Sequence, residues 1–223
     1  TTVCDDQQGF ALVERLGGSP PTNGTWTPPP PLVLFNGFFI PGTSPAGVYT
    51  YTVAGTAPCA NATATVTVTV NPHANAGNDA SLSLCSNGGA QPLFPSLGAQ
   101  AQAGGSWTRQ PAGTPHGGVF QPGTDVTGVF VYTVQGPVGC TPDQALVAVT
   151  LNQAPNAGFN GQRVVCDQDQ AFPLINALNG SPTFTGTWMD PLMAVHNGIF
   201  VPGTSQPGVY TYTVLGNAPC ANA

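Results

Sequence analysis

Thr63-Ala64-Thr65-Val66-Thr67-Val68-Thr69-Val70 places threonine at every odd position and alanine or valine at every even one. Successive side chains of an extended chain point to opposite faces, so the run reads as a strand with one buried face. Threonine suits its pleated, solvated side. Val48-Tyr49-Thr50-Tyr51-Thr52-Val53 reads the same way. The best helical candidate, Phe10 to Leu16, covers only about two turns, and its counterpart from Leu93 to Leu97 contains Pro95. The pattern predicts an all-β fold.

Outward from this run the sequence repeats itself. Cys4, Cys85 and Cys166 recur every 81 residues, as do Trp26, Trp107 and Trp188. Tyr51, Tyr132 and Tyr212, and Cys59, Cys140 and Cys220, follow at 81 and then 80, so one deletion between Trp188 and Tyr212 explains the slip. A period of this length exceeds a solenoid turn or propeller blade and suits a small domain. The predicted division is residues 1–72, 73–154 and 155–223. Repeat one is expected to be incomplete at its N-terminus and repeat three to lack its last strand. The joints, His73-Ala74-Asn75-Ala76-Gly77-Asn78 and Pro155-Asn156-Ala157-Gly158-Phe159-Asn160, are short and polar. Turn signals about every ten residues imply roughly seven strands per repeat in a two-sheet sandwich.

Within each repeat the order is Cys, Trp, a Gly-x-x-x-Tyr strand, then a second Cys. This resembles an immunoglobulin-like domain with a central tryptophan and a tyrosine-bearing late strand. Cys59 lies eight residues beyond Tyr51, farther than in antibody domains, so a bridge is expected near one end of the sandwich. Six cysteines allow fifteen connectivities. The expectation is one bridge inside each repeat, Cys4–Cys59, Cys85–Cys140 and Cys166–Cys220. Trp26, Trp107, Trp188, Tyr51, Tyr132 and Tyr212 are the expected core aromatics.

Composition narrows the partners. Only 5% of residues are charged and the net charge is −6, which excludes the basic footprint that nucleic acid or an anionic membrane requires. The chain has no apolar run of about 18 residues, so no membrane insertion is expected. Gly and Pro are abundant at 29 and 24, but 41% hydrophobic content and three tryptophans argue for packed cores. Six cysteines in a lysine-free, threonine-rich chain point to an oxidising compartment.

Chemistry-bearing motifs are sparse. His73, His116 and His196 sit in a joint and in variable loops and are expected to be exposed loop residues, and position 116 corresponds to Phe35 in repeat one. No zincin, Walker, G-x-S-x-G or C-x-x-C pattern occurs, so no catalytic residue, metal or cofactor is expected. Asp5, Asp6, Asp167 and Asp169 follow first cysteines, but repeat two has Ser86 and Asn87 there, so solvated turn carboxylates are expected rather than calcium ligands. Asn23, Asn61 and Asn179 start N-x-Ser/Thr triplets. The absence of lysine excludes Lys–Asn isopeptide bonds. The threonine ladder invites an ice-binding reading, but Ala145 to Val149 replaces it with apolar residues in repeat two.

Asn-Ala-Gly (Asn75 to Gly77, Asn156 to Gly158), Gly-Thr-Trp-Thr (Gly24 to Thr27), Pro-Gly-Thr and Gly-Val-Tyr-Thr-Tyr-Thr-Val together resemble the Ig-like or PKD-like repeats of very large Bacteroidota surface proteins, including gliding-motility-associated adhesins. The resemblance spans the chain and implies export, commonly by the type IX route, and display at the cell surface. The leading expectation is a non-enzymatic, disulfide-locked stalk with multivalent surface contacts. Its partners would be neighbouring repeats of the same or an identical chain, or a surface polysaccharide. Two alternatives stand beside it: a self-assembling filament subunit joined by donor strands or end to end, and a carbohydrate-binding module of a secreted enzyme that uses the tryptophans as stacking platforms.

Overall fold

The computed structural model of the protein describes residues 1–31 and 34–223. Apart from three single 3-10 turns, Leu12–Arg15, Phe94–Leu97 and Leu174–Ala177, its regular structure among the described residues is strand. Two of the turns occupy the helical candidates. Pro95 has no N–H to continue a helix, and each turn serves to bury a leucine: Leu12, Leu97 and Leu174.

Repeat one contributes β1 (Thr2–Cys4), β2 (Phe10–Ala11), β3 (Thr25–Thr27), β4 (Phe38–Phe39), β5 (Gly47–Val53) and β6 (Ala62–Asn71). β1-β6-β5-β3 form one sheet and β2-β4 a second. The alternating run is β6. It buries Val66 and Val68 and exposes Thr63, Thr65, Thr67 and Thr69. β5 pairs antiparallel with it and sets Tyr49 opposite Val66. Val3, Leu12, Phe39, Tyr49, Val66 and Val68 fill the space between the sheets. Burying each of these side chains is worth roughly 1.5–3 kcal/mol.

Repeat two supplies β7 (Ala80–Cys85), β8 (Gln91–Pro92), β9 (Ser106–Arg109), β10 (Thr114–His116), β11 (Val119–Phe120), β12 (Gly128–Val134) and β13 (Asp143–Asn152), the seven strands that the turn spacing predicts. Their sheets run β10-β9-β12-β13-β7 and β11-β8. Repeat three supplies β14 (Phe172–Pro173), β15 (Thr187–Met189), β16 (Val195–His196), β17 (Ile199–Phe200) and β18 (Thr211–Thr213), in sheets β16-β15-β18 and β14-β17. Leu174, Trp188, Tyr212 and Val214 form its core. The fold is all-β and immunoglobulin-like, with two face-packed sheets and a tyrosine corner.

The Tyr49 hydroxyl donates to the Pro45 carbonyl and that of Tyr210 to Gln206, each four residues upstream at 2.8 Å. These bonds are the tyrosine corner, so the corner role does not fall on Tyr51. Repeat two has Phe130 at this position and lacks the hydroxyl.

The parallel pairings set the ends of the sandwich. β1 runs beside the end of β6, with Cys4 opposite Asn71. β7 runs beside β13, with Cys85 opposite Asn152. The chain gathers into two compact units, one of Thr1–Asp79, Leu97–Thr108 and Val131–Leu146, the other of Ala80–Ser96, Arg109–Phe130 and Val147–Ala223. No helix among the described residues is long and apolar enough to cross a membrane.

Candidate linkage site at the joints

The cysteines do not pair as the spacing suggested. The structure bonds Cys4 to Cys140 and Cys85 to Cys220, with Cα–Cα distances of 4.9 and 5.0 Å, and leaves Cys59 and Cys166 as exposed free thiols. The expected bridges Cys4–Cys59, Cys85–Cys140 and Cys166–Cys220 are therefore corrected, and no repeat holds an internal disulfide.

The reason is geometric. Cys4 lies at the last residue of the ten-residue strand β6, whereas Cys59 lies three residues before that strand begins. At 3.3 Å per residue the two ends are about 30 Å apart, and a disulfide needs Cα atoms within about 7 Å. Cys85 and Cys140 stand in the same relation along β13. Repeats one and two thus each carry the first cysteine at the end of the last strand and the second before its start. Pairing first cysteine to following second cysteine keeps the 81-residue period as faithfully as pairing within a repeat, which is why spacing could not choose between them.

Each bond sits in a small polar clasp. At the joint between repeats one and two, Asn71 Nδ2 donates to the Val138 carbonyl at 2.7 Å and Gln7 Nε2 to the Gly139 carbonyl at 2.7 Å. The Cys140 sulfur lies 3.4 Å from the Pro72 carbonyl oxygen. At the joint between repeats two and three, Asn152 Nδ2 donates to the Ala218 carbonyl at 2.5 Å, and the Cys220 sulfur lies 3.4 Å from the Asn152 oxygen. The members of each clasp belong to a single compact unit. Neither asparagine was singled out in the sequence. Their signal was position, since each ends the last strand of its repeat.

A hydrogen bond from His73 holds the Asp5 carboxyl below its ordinary value, and the same contact with Asp5 raises the His73 imidazole. The Asp5 oxygen also accepts the His73 backbone N–H at 2.9 Å. Asp5 is therefore engaged at the joint rather than free in a turn. Cys4, Asp5 and Asp6 lie close enough to share an ion, but the Cys4 sulfur is in the disulfide and one Asp5 oxygen in the His73 contact. In repeat three, Asp169 accepts the Cys166 N–H.

The histidines divide. His73 is exposed. His116 and His196 are half-buried strand residues, which corrects the loop expectation. Their rings pack against Phe130 at 4.6 Å and Tyr210 at 5.0 Å, just as Phe35 packs against Tyr49 at 4.7 Å. Each Nδ1 accepts the N–H of the glycine two residues on, Gly118 or Gly198. The equivalence of His116 with Phe35 was visible in the alignment of the repeats. Its meaning, a common aromatic slot, was not.

The expected core aromatics pair within one sheet: Trp26 with Tyr51 at 4.9 Å, Trp107 with Tyr132 at 4.9 Å and Trp188 with Tyr212 at 4.8 Å. The three tyrosines, Trp107 and Trp188 are buried, while Trp26 is half-buried. Tyr51 accepts the Gly24 N–H and donates to the Pro21 carbonyl, and Tyr132 and Tyr212 repeat the bridge to Gln102 and Thr183. Glycine is required at position 24 because a Cβ there would overlap the Tyr51 ring. A cavity of about 240 Å³ opens beside Trp26, Tyr51 and Phe38. Gly37 approaches the Trp26 indole so closely that an added Cβ would lie 2.8 Å from its Cδ1 and Nε1 atoms. Gly198 stands in the same relation to Trp188.

No protein-family profile matches the chain, and no curated protein is similar enough to count as a relative. Among solved structures the chain is similar to a three-immunoglobulin-domain segment of titin, domains I67–I69 in an E-to-A mutated variant. The identity is 11%, the TM-score 0.43, and the match covers 92% of this chain and 80% of that one.

Proposed function

We propose that the protein is a non-enzymatic structural segment of an extracellular surface fibre. In this reading three tandem sandwiches, residues 1–72, 73–154 and 155–223, form a stalk that holds other parts away from the cell or touches a surface through weak, repeated patches. The observation that carries the reading is that both disulfides cross joints between successive repeats. A bond placed inside a sandwich stabilises that sandwich alone. A bond placed across a joint, together with an asparagine clasp, restricts bending, and restricted bending is useful where reach is the function.

Structural disulfides persist in oxidising compartments, which supports display outside the cell. The low charge and the repeat style fit the Bacteroidota surface adhesins that the sequence resembles, with export by the type IX route. Small-angle scattering with and without reductant tests the proposal. Reduction is expected to broaden the distance distribution while the far-ultraviolet β signature persists. An unchanged distribution after both bonds are reduced rejects stiffening as the role.

A further inference from the structure

The threonine ladder of β6 does not stand alone. Register sets Thr63, Thr52 and Thr25 side by side on neighbouring strands, and Thr65, Thr50 and Thr27 in the next row. Thr67 is level with Val48, and Thr69 with Thr2. Partners in register point to the same face, so one side of the sheet β1-β6-β5-β3 carries these nine threonines and one valine. The threonines of β1, β3 and β6 are exposed, and the two of β5 are half-buried. All belong to one compact unit. No side chain in these rows is ionisable.

The equivalent face of repeat two is not an array. Gln144, Leu146 and Ala148 stand where β6 has Thr63, Thr65 and Thr67, and Val131 stands where β5 has Thr50. Two of the threonines it keeps are engaged: Thr133 Oγ1 accepts from Gln144 Nε2 at 3.1 Å, and Thr150 Oγ1 donates to the Leu82 carbonyl at 3.4 Å. The nine hydroxyls of repeat one have no protein partner among the described residues.

We infer that this face of repeat one binds ice. Its threonines are spaced about 4.8 Å across the strands and about 6.7 Å along them, close in both directions to the oxygen repeats on a prism face of ice. A charged side chain would hold a hydration shell that no ice lattice continues, and the face has none. Each threonine offers a hydroxyl for a lattice oxygen position and a methyl group that water cages. Branching at Cβ restricts χ1 and the strand ladders hold the backbone, so adsorption costs little freedom. Ice then bulges between adsorbed molecules, and the curvature of its front halts growth. The inference goes beyond the stalk and does not require one.

The test grows ice slowly from a dilute solution of the intact chain and compares the protein held in the ice with that left in the liquid. The wild type is expected to concentrate in the ice and to keep grains small in an annealed polycrystalline film. Thr65→Lys and, on β3, Thr27→Lys are each expected to lose both effects while melting like the wild type. Leu146→Lys, at the position in repeat two equivalent to Thr65, is expected to keep both. Exclusion of the wild type from ice, full activity of both threonine variants, or an equal loss in Leu146→Lys would overturn the inference. So would retention on crystalline cellulose by a protein that ice excludes, which would assign the face to a polysaccharide lattice. Ice partition does not read bending at the joints, so failure here is distinguishable from failure of the stalk.

Discussion

The two bonded joints share one plan and differ in what decorates it. Around Cys4–Cys140, the Asp5 carboxylate accepts the His73 N–H at 2.9 Å. Around Cys85–Cys220, the Ser86 hydroxyl accepts the Ala154 N–H at the same distance. The positions are equivalent, 81 residues apart in both cases. One contact is ionisable and backed by an imidazole, the other neutral. The first joint also has the Gln7 contact to Gly139, where the second has Gly88 at the matching place. The difference teaches which parts the joint requires. The sulfur pair, the asparagine and an acceptor for one backbone N–H recur, whereas charge is optional.

The largest expected effect separates bonded from free cysteines. Cys140→Ser or Cys220→Ser opens a loop of 136 or 135 residues, which the chain-entropy estimate values at about 5 kcal/mol. Chemical denaturation should show losses approaching that figure, whereas Cys59→Ser should stay within about 0.5 kcal/mol of wild type. Equal losses for all three would restore bridges inside repeats.

A smaller effect sharpens the contrast between joints. Asn71→Ala deletes one side-chain hydrogen bond, to Val138, and Asn152→Ala two, to Ala218 and Ser83, each worth about 1 kcal/mol. The loss should be greater for Asn152, because Gln7 still holds the first joint. Thermal melting of both variants, alone and with Gln7→Ala added to Asn71→Ala, measures this. The double variant should bring the first joint level with the second.

The smallest effect is a pH dependence confined to the first joint. The contribution of His73 is complete below its ordinary value of 6.5 and is lost as pH rises through the raised folded value. That of Asp5 is complete above 3.8 and is lost as pH falls through its lowered folded value. The contact is therefore fullest between pH 3.8 and 6.5. The amide protection factor of His73 should fall as pH rises above 6.5 through the raised folded value, while that of Ala154 holds steady. Asp5→Ser should abolish the dependence, and Ser86→Asp with Ala154→His should transplant it.

The repeat and the strand alternation made the all-β fold readable, because periods of 2 and 81 are properties of order along the chain. Thr63 to Val70 announced β6, and the Trp and Tyr positions announced pairs that the structure joins in each repeat. What stayed hidden were relations across space that two arrangements satisfy equally. Cys4 could reach forward to Cys140 or back to Cys59 without disturbing the period, and only the length of β6 excludes the second. Tyr49 and Tyr51 are two residues apart on one face, so pattern alone could not say which hydroxyl turns back to its own corner. His116 and His196 looked like loop residues because histidine has little strand preference, yet the slot beside Phe130 and Tyr210 selects a flat ring rather than a hydrophobic one.

The order of the bonds along the chain has one more consequence. The segment spanned by Cys4 and Cys140 overlaps the segment spanned by Cys85 and Cys220. Sever any single peptide linkage between residues 4 and 220, and at least one of the two sulfur bonds still ties the fragments together. Within that stretch a protease must cut more than once before a fragment falls away, so it tolerates wounds that would divide an ordinary string of domains.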